Sequence, residues 1–237
     1  MVRAGELGSD DLSAWRDWRA RDPALASPFY DPAFTSAVAA AGGEVRIIVV
    51  DGTSFWPVQF DRNGIAGPVG LTLNDYQGVI GPLASGVPGD SRSGSDGGSR
   101  PTPATVLRAA GIRRFRFDHL PASQAYLRSG ASISGRHRSP YLDLGAGFGP
   151  YEAELRSQGS NLVAKTRTRQ RWLERDIGPV RFTVHDPEDA EAYDALRRWK
   201  SAQYRATGVR DLFSAASERR AIELLRECRQ PGCGLAR

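Results

Sequence analysis

Residues 45–60, VRIIVVDGTSFWPVQF, decide how this chain is read. Val45 to Val50, β-branched except at Arg46, is of strand length, and residues 54–60 return as an aromatic-rich partner. Asp51-Gly52 between them is a tight-turn signal, because the favoured hairpin turn needs positive φ at its central positions. Asp61-Arg62-Asn63-Gly64 supports a second turn into a strand at residues 65–69. Ahead of the hairpin, residues 12–21 read as a helix with Trp15 and Trp18 three apart on one face. Asp31-Pro32 can start another, through Phe34, Val38 and Ala41, that ends at Gly42-Gly43. A helical start followed by a meander predicts an α/β chain of the α+β kind, with a mixed, largely antiparallel sheet flanked by helices.

Outward from this centre, residues 85–103 (SGVPGDSRSGSDGGSRPTP) are low in complexity and too polar to bury, so they read as a flexible insert. Residues 103–110 read as a short helix stopped by Gly111. Residues 114–120 (RFRFDHL) and 140–144 (PYLDL) read as strands, and residues 151–157 as a helix. A basic helix follows at residues 161–175 (NLVAKTRTRQRWLER), then a strand at 180–184. Asp186 and Pro187 suit the start of a helix reaching about residue 206, with Tyr193, Leu196, Trp199 and Gln203 on one side. A last helix at residues 214–228 is expected to bury Ile222 and Leu225 before the Pro231-Gly232 break, and residues 234–237 read as the start of a strand.

With 237 residues, 40% hydrophobic and 25% charged, the composition is that of a globular protein with one large or two small domains. The apolar run at residues 47–50 is far too short for a membrane span, and the N-terminus lacks a signal-peptide core, so a cytoplasmic protein is expected. Cys228 and Cys233 read as reduced thiols, and no metal site is expected. No G-x-S-x-G elbow or H-E-x-x-H motif occurs. The net charge of +5 permits a phosphate-bearing ligand without demanding one, and no motif points to nucleic acid.

Residues 142–149 (LDLGAGFG) resemble the glycine-rich first motif of S-adenosylmethionine-dependent methyltransferases. Those folds place an acidic residue about 20 positions on to hold ribose, where this chain is basic and helical. In the basic helix, Arg167, Arg171 and Arg175 form one stripe, with Leu162 and Leu173 pointing the other way. The stripe suits a solvated face, a phosphate-bearing substrate, or a non-catalytic binding module.

Three segments taken in order carry a family resemblance: Leu73-Asn-Asp-Tyr-Gln-Gly78 after the meander, Ser139-Pro-Tyr-Leu-Asp-Leu144, and the run from Lys165 through Val184 into residues 186–208. This order resembles the CelD-like acetyltransferases of the GNAT superfamily, distant relatives of the FemAB transferases. They are linked by name to cellulose or exopolysaccharide biosynthesis. The resemblance implies two GNAT-like domains, here residues 1–145 and the helical start of an incomplete second at 177–237, joined by a connecting basic segment at 146–176. It implies acetyl-CoA or another acyl-CoA as co-substrate, and a small-molecule, saccharide or peptide acceptor whose amine or hydroxyl attacks the thioester. Asp75, Tyr76, Lys200 and Tyr204 are candidates to line the substrate cleft, with Arg167 and Arg171 on the phosphate side; the catalytic base is unassigned. GNAT folds hold the pyrophosphate on a Q/R-x-x-G-x-G/A loop opening a helix. Arg108-Ala-Ala-Gly-Ile-Arg113 and Arg205-Ala-Thr-Gly-Val-Arg210 match its first four positions and end in Arg. The chain therefore reads as truncated before its donor loop, and acyl-CoA binding is expected to be weak or absent and salt-sensitive.

Overall fold

The turn at Asp51-Gly52 forms with both residues at positive φ, 52° and 65°, and the Thr53 N–H donates back to the Val50 carbonyl at 3.1 Å. It joins β2 (Glu44–Val50) to β3 (Ser54–Phe60) in full antiparallel register, Glu44 opposite Phe60 and Val50 opposite Ser54. In the computed structural model, which describes residues 1–84, 100–140, 142, 144–182 and 190–228, this hairpin is the centre of a four-stranded antiparallel sheet. Its outer strands are two residues each, β1 (Val2–Arg3) beside β2 and β4 (Ala66–Gly67) beside β3. Pro57 is tolerated inside β3 because its neighbour Phe55 donates to the Ile80 carbonyl, at 2.8 Å, on the edge away from β2. By strand alternation the missing N–H of Pro57 faces that same edge, so the central ladder loses no bond.

The chain forms two compact units, Met1–Ser132 with Pro187–Arg237, and Ile133–Asp186. In the first, helices cover both faces of the sheet. Ile47 and Phe55 pack with Trp15, Leu25, Tyr30 and Ile80 under α1 (Ser9–Arg21). Val45 packs with Phe34 and Val38 of α2 (Pro32–Ala40), and with Ala221 and Leu225 of α8 (Ala216–Glu227). On the opposite face Ile48, Trp56 and Val58 meet Val106 of α3 (Pro103–Ala109), and Tyr126 and Leu127 of α4 (Ala125–Ser129). Strands covered on both sides read as apolar runs rather than alternations, which is the pattern of residues 47–50. The Asp31 carboxylate caps α2 by accepting the Ala33 N–H at 2.9 Å, and Arg19 binds its other oxygen at 2.8 Å. The α+β fold expected from the sequence is the fold observed.

Several local expectations need correction. The strand expected at 65–69 shrinks to β4. Residues 114–120 form one parallel bridge, Ala66 to Phe115, because β4 is too short to template more; His119, at φ 45°, ends the extended run. Among described residues 180–182 there is no strand. α8 buries Ala221 rather than Ile222, beside Leu225, one helical turn apart. Cys228 is disulfide-bonded, not a free thiol, and its partner lies outside the described residues. Residues 85–99 of the insert, Tyr141 and Asp143 of the PYLDL segment, residues 183–189 with the Asp186 cap, and residues 229–237 also lie outside them.

The second unit contains α5 (Phe148–Ser157) and α6 (Leu162–Asp176). They are tied by Arg167, whose two guanidinium nitrogens reach the two Glu152 oxygens at 2.7 and 2.8 Å. These hydrogen bonds hold the Glu152 carboxyl below its ordinary pKa.

Candidate functional site

An open groove of about 970 Å³ lies within the first unit. One wall is the end of α2 and the Gly42-Gly43 turn; another is Gln59 to Arg62 at the end of β3. The third is the Gly70–Leu73 turn, and the fourth the first turn of α8 with Arg210 ahead of it. Gly70 (φ 82°) and Leu71 (φ 47°) are both left-handed, and a β-carbon on Gly70 would stand 2.8 Å from the Phe34 ring. Gln59 fixes this turn by accepting the Gly70 N–H at 2.8 Å.

Arg210 ties the chain after α7 (Ala190–Thr207) to this wall. It donates to Thr72 Oγ1 at 2.8 Å and to the Glu218 carboxylate. Burial raises the Glu218 pKa, but hydrogen bonds from Ser217, its own backbone N–H and Arg210 outweigh it, so the net value is lowered. A depressed acid stabilises the fold above its unfolded value, and that contribution is lost as pH falls through the lower folded value. Arg210→Ala is therefore expected to cost about 0.5–1 kcal/mol at neutral pH. The loss should narrow as pH falls from the ordinary value of 4.5 through the lower folded value, below which Glu218 is protonated in both chains. Urea melts of both chains across this range check it; a pH-independent difference contradicts the pairing.

The six sequence candidates do not converge on this groove, and none lines it. Asp75 is exposed on the loop after Leu73, and Tyr76 packs against the Trp15–Tyr30 cluster. The rest of Leu73–Gly78 is held internally: Asn74 donates to the Val69 carbonyl at 3.0 Å and accepts the Tyr76 N–H at 2.7 Å, while Tyr30 donates to the Gln77 carbonyl at 3.0 Å. Lys200 and Tyr204 do meet, the ammonium 4.9 Å from the ring centroid on α7, with Lys200 also donating to Gln203 at 2.9 Å. Arg167 is engaged with Glu152, and Arg171 donates to Thr168 at 3.2 Å; both lie on α6 in the second unit. The groove and Arg210 were not anticipated, because their walls come from segments more than a hundred residues apart in sequence.

The two near-matches to a pyrophosphate loop have the opposite polarity from the one phosphate needs. Gly111 (φ 73°) follows α3, and the Ile112 N–H returns to the Leu107 carbonyl at 2.8 Å. Gly208 (φ 68°) follows α7, and the Val209 N–H returns to the Tyr204 carbonyl at 3.0 Å. Gly159 closes α5 in the same way. These are C-terminal glycine caps, where the helix presents carbonyls and its negative end. Gly147, by contrast, precedes the N-terminus of α5 at φ 89°, but Leu142 and Leu144 before it are exposed and lie in no described strand.

Residues 160–236 match the family model of the acetyltransferase (GNAT) domain, about a third of the chain. α6, α7 and α8 all fall within the match. No curated protein and no solved structure matches the chain. GNAT domains generally transfer an acyl group from acyl-CoA to a small-molecule or peptide acceptor. Among the described residues no helix is long and apolar enough to cross a membrane, and no three His, Cys, Asp or Glu side chains are grouped to hold a metal ion.

Proposed function

We propose that the chain is an acyltransferase of the CelD type, cytoplasmic, acting on a saccharide or peptide acceptor in exopolysaccharide or cellulose biosynthesis, with acetyl-CoA as donor. The observation that carries this reading is the GNAT match over residues 160–236, the segment that also holds Lys200 and Tyr204. On this reading residues 1–145 are a first GNAT-like domain, residues 146–176 the connecting segment and residues 177–237 the start of a second. The acceptor nitrogen or oxygen attacks the thioester carbonyl, the CoA thiolate leaves, and the acceptor proton passes to solvent or a base. Lys200 and Tyr204 form a half-buried cation–aromatic pair suited to a polar substrate, and Asp75 and Tyr76 supply further polar contacts. Arg167 and Arg171 are the phosphate contacts; Arg167 is bound to Glu152 and must exchange that partner.

Release of free CoA thiol in the presence of amine-bearing or hydroxyl-bearing acceptors tests the proposal. Acceptor-dependent release that falls at least about tenfold in Lys200→Ala, the loss of one charge-assisted contact, is expected. Release that does not depend on an acceptor, or no release with either class, contradicts it.

A further inference from the structure

The unit Ile133–Asp186 has no fully buried side chain among its described residues, yet much of the exposed apolar surface of the chain lies in it. Along α6 and the segment after it, Leu162, Trp172, Leu173, Ile177, Val180 and Phe182 are all exposed, Ile177 by 81% and Phe182 by 89%. At about 100° per residue, Leu162, Leu173 and Ile177 fall within about 60° of one another. Lys165 and Arg169 border this stripe, with Trp172 just beyond them. Among the described residues neither Lys165 nor Arg169 has an ion pair, whereas Arg167 and Arg175 on the other side are paired with Glu152 and Asp176. Two cations without a carboxylate partner thus stand on the apolar side, while Arg171 opposite donates to Thr168 at 3.2 Å.

From this arrangement we infer that the exposed face of α6, continued through Phe182, is an interfacial anchor for an anionic lipid surface. The apolar side chains and Trp172 enter the headgroup boundary, and Lys165 and Arg169 extend along them to reach lipid phosphates. A second copy of the chain is a poorer occupant, because a two-fold contact here would set cationic α6 against itself. A polynucleotide offers matching charge but no use for Leu162, Leu173 and Ile177. The inference is independent of the acyltransferase reading.

The test is co-sedimentation of the full chain with vesicles of phosphatidylcholine alone and of phosphatidylcholine mixed with phosphatidylglycerol. Binding to the mixed vesicles, weakening with salt, is expected, with a blue shift of tryptophan emission that Trp172→Phe removes. Lys165→Glu with Arg169→Glu should lose at least about tenfold in affinity. Phe182→Ser should lose several-fold without charge change, and unchanged far-ultraviolet circular dichroism shows that either variant is folded. Equal binding to both vesicles, binding to neither, or salt-sensitive binding to polyuridylate in place of vesicles overturns the inference. So does self-association that accounts for the Trp172 shift without lipid.

Discussion

Trp15→Ala is expected to lower the stability of the fold by about 3–5 kcal/mol, the range for an aromatic deleted from a closed core. Trp15 is fully buried, stacks on Phe55 at 5.3 Å between ring centroids, and donates its indole N–H to the Tyr30 carbonyl at 2.8 Å. Truncation leaves a cavity between α1 and the sheet and strands that buried carbonyl without a donor. Trp18, on the same helix but half-buried beside Arg21, is the internal control and should cost about 1 kcal/mol. Urea unfolding of both variants decides the matter; equal losses would mean that α1 is not docked through Trp15.

The second large effect is steric. A β-carbon on Gly78 would fall 2.1 Å from the Gln124 Cδ and within 2.5 Å of both its terminal atoms. The Gln124 side chain is buried, accepting the Val79 N–H at 2.9 Å and donating to the Val79 carbonyl at 3.1 Å, so a carboxamide stands where a neighbouring strand would pair. Gly78→Ala displaces it and orphans two buried backbone groups, at roughly 1–3 kcal/mol each, so a loss of about 2–5 kcal/mol is expected. Gln124→Ala should cost about 2–4 kcal/mol for the same reason, and adding Gly78→Ala to it should cost little more. Additive losses in the double variant would show that the two residues act separately.

What was legible in the sequence was what local chemistry fixes. Asp51-Gly52 announced its turn, Asp31-Pro32 its helix start, and the β-branched residues of 45–50 a strand. The errors arose where one pattern serves two physical ends. Phe115 and Phe117 alternate as in a strand, but the spacing serves ring packing: Phe115 meets Trp56 edge-on at 5.2 Å and Phe117 at 5.7 Å. Arg-x-x-Gly resembles a phosphate loop, yet glycine after a helix is a cap and before a helix an anion site. The apolar Ile112 and Val209 that follow were the available signal for the cap. Tyr193, Leu196 and Trp199 share one side of α7, but Leu196 and Trp199 are exposed, while Tyr193 lies beneath Arg226 at 4.9 Å. Gln124 and Arg210 could not be foreseen, since their partners Val79 and Thr72 lie 45 and 138 positions away.

Titration of the chain with acetyl-CoA at low and at high salt is the most direct test of the acyl-transfer account. With Gly111 and Gly208 serving as helix caps, and arginine side chains meeting the phosphates, the account predicts weak binding that falls steeply as salt screens those charges. It further predicts that Arg171→Ala weakens what remains at low salt. Tight, salt-insensitive binding would contradict the assignment of arginine side chains as the phosphate contacts by showing a preformed amide site, and tight binding of S-adenosylmethionine in place of acetyl-CoA would replace acyl transfer with methyl transfer.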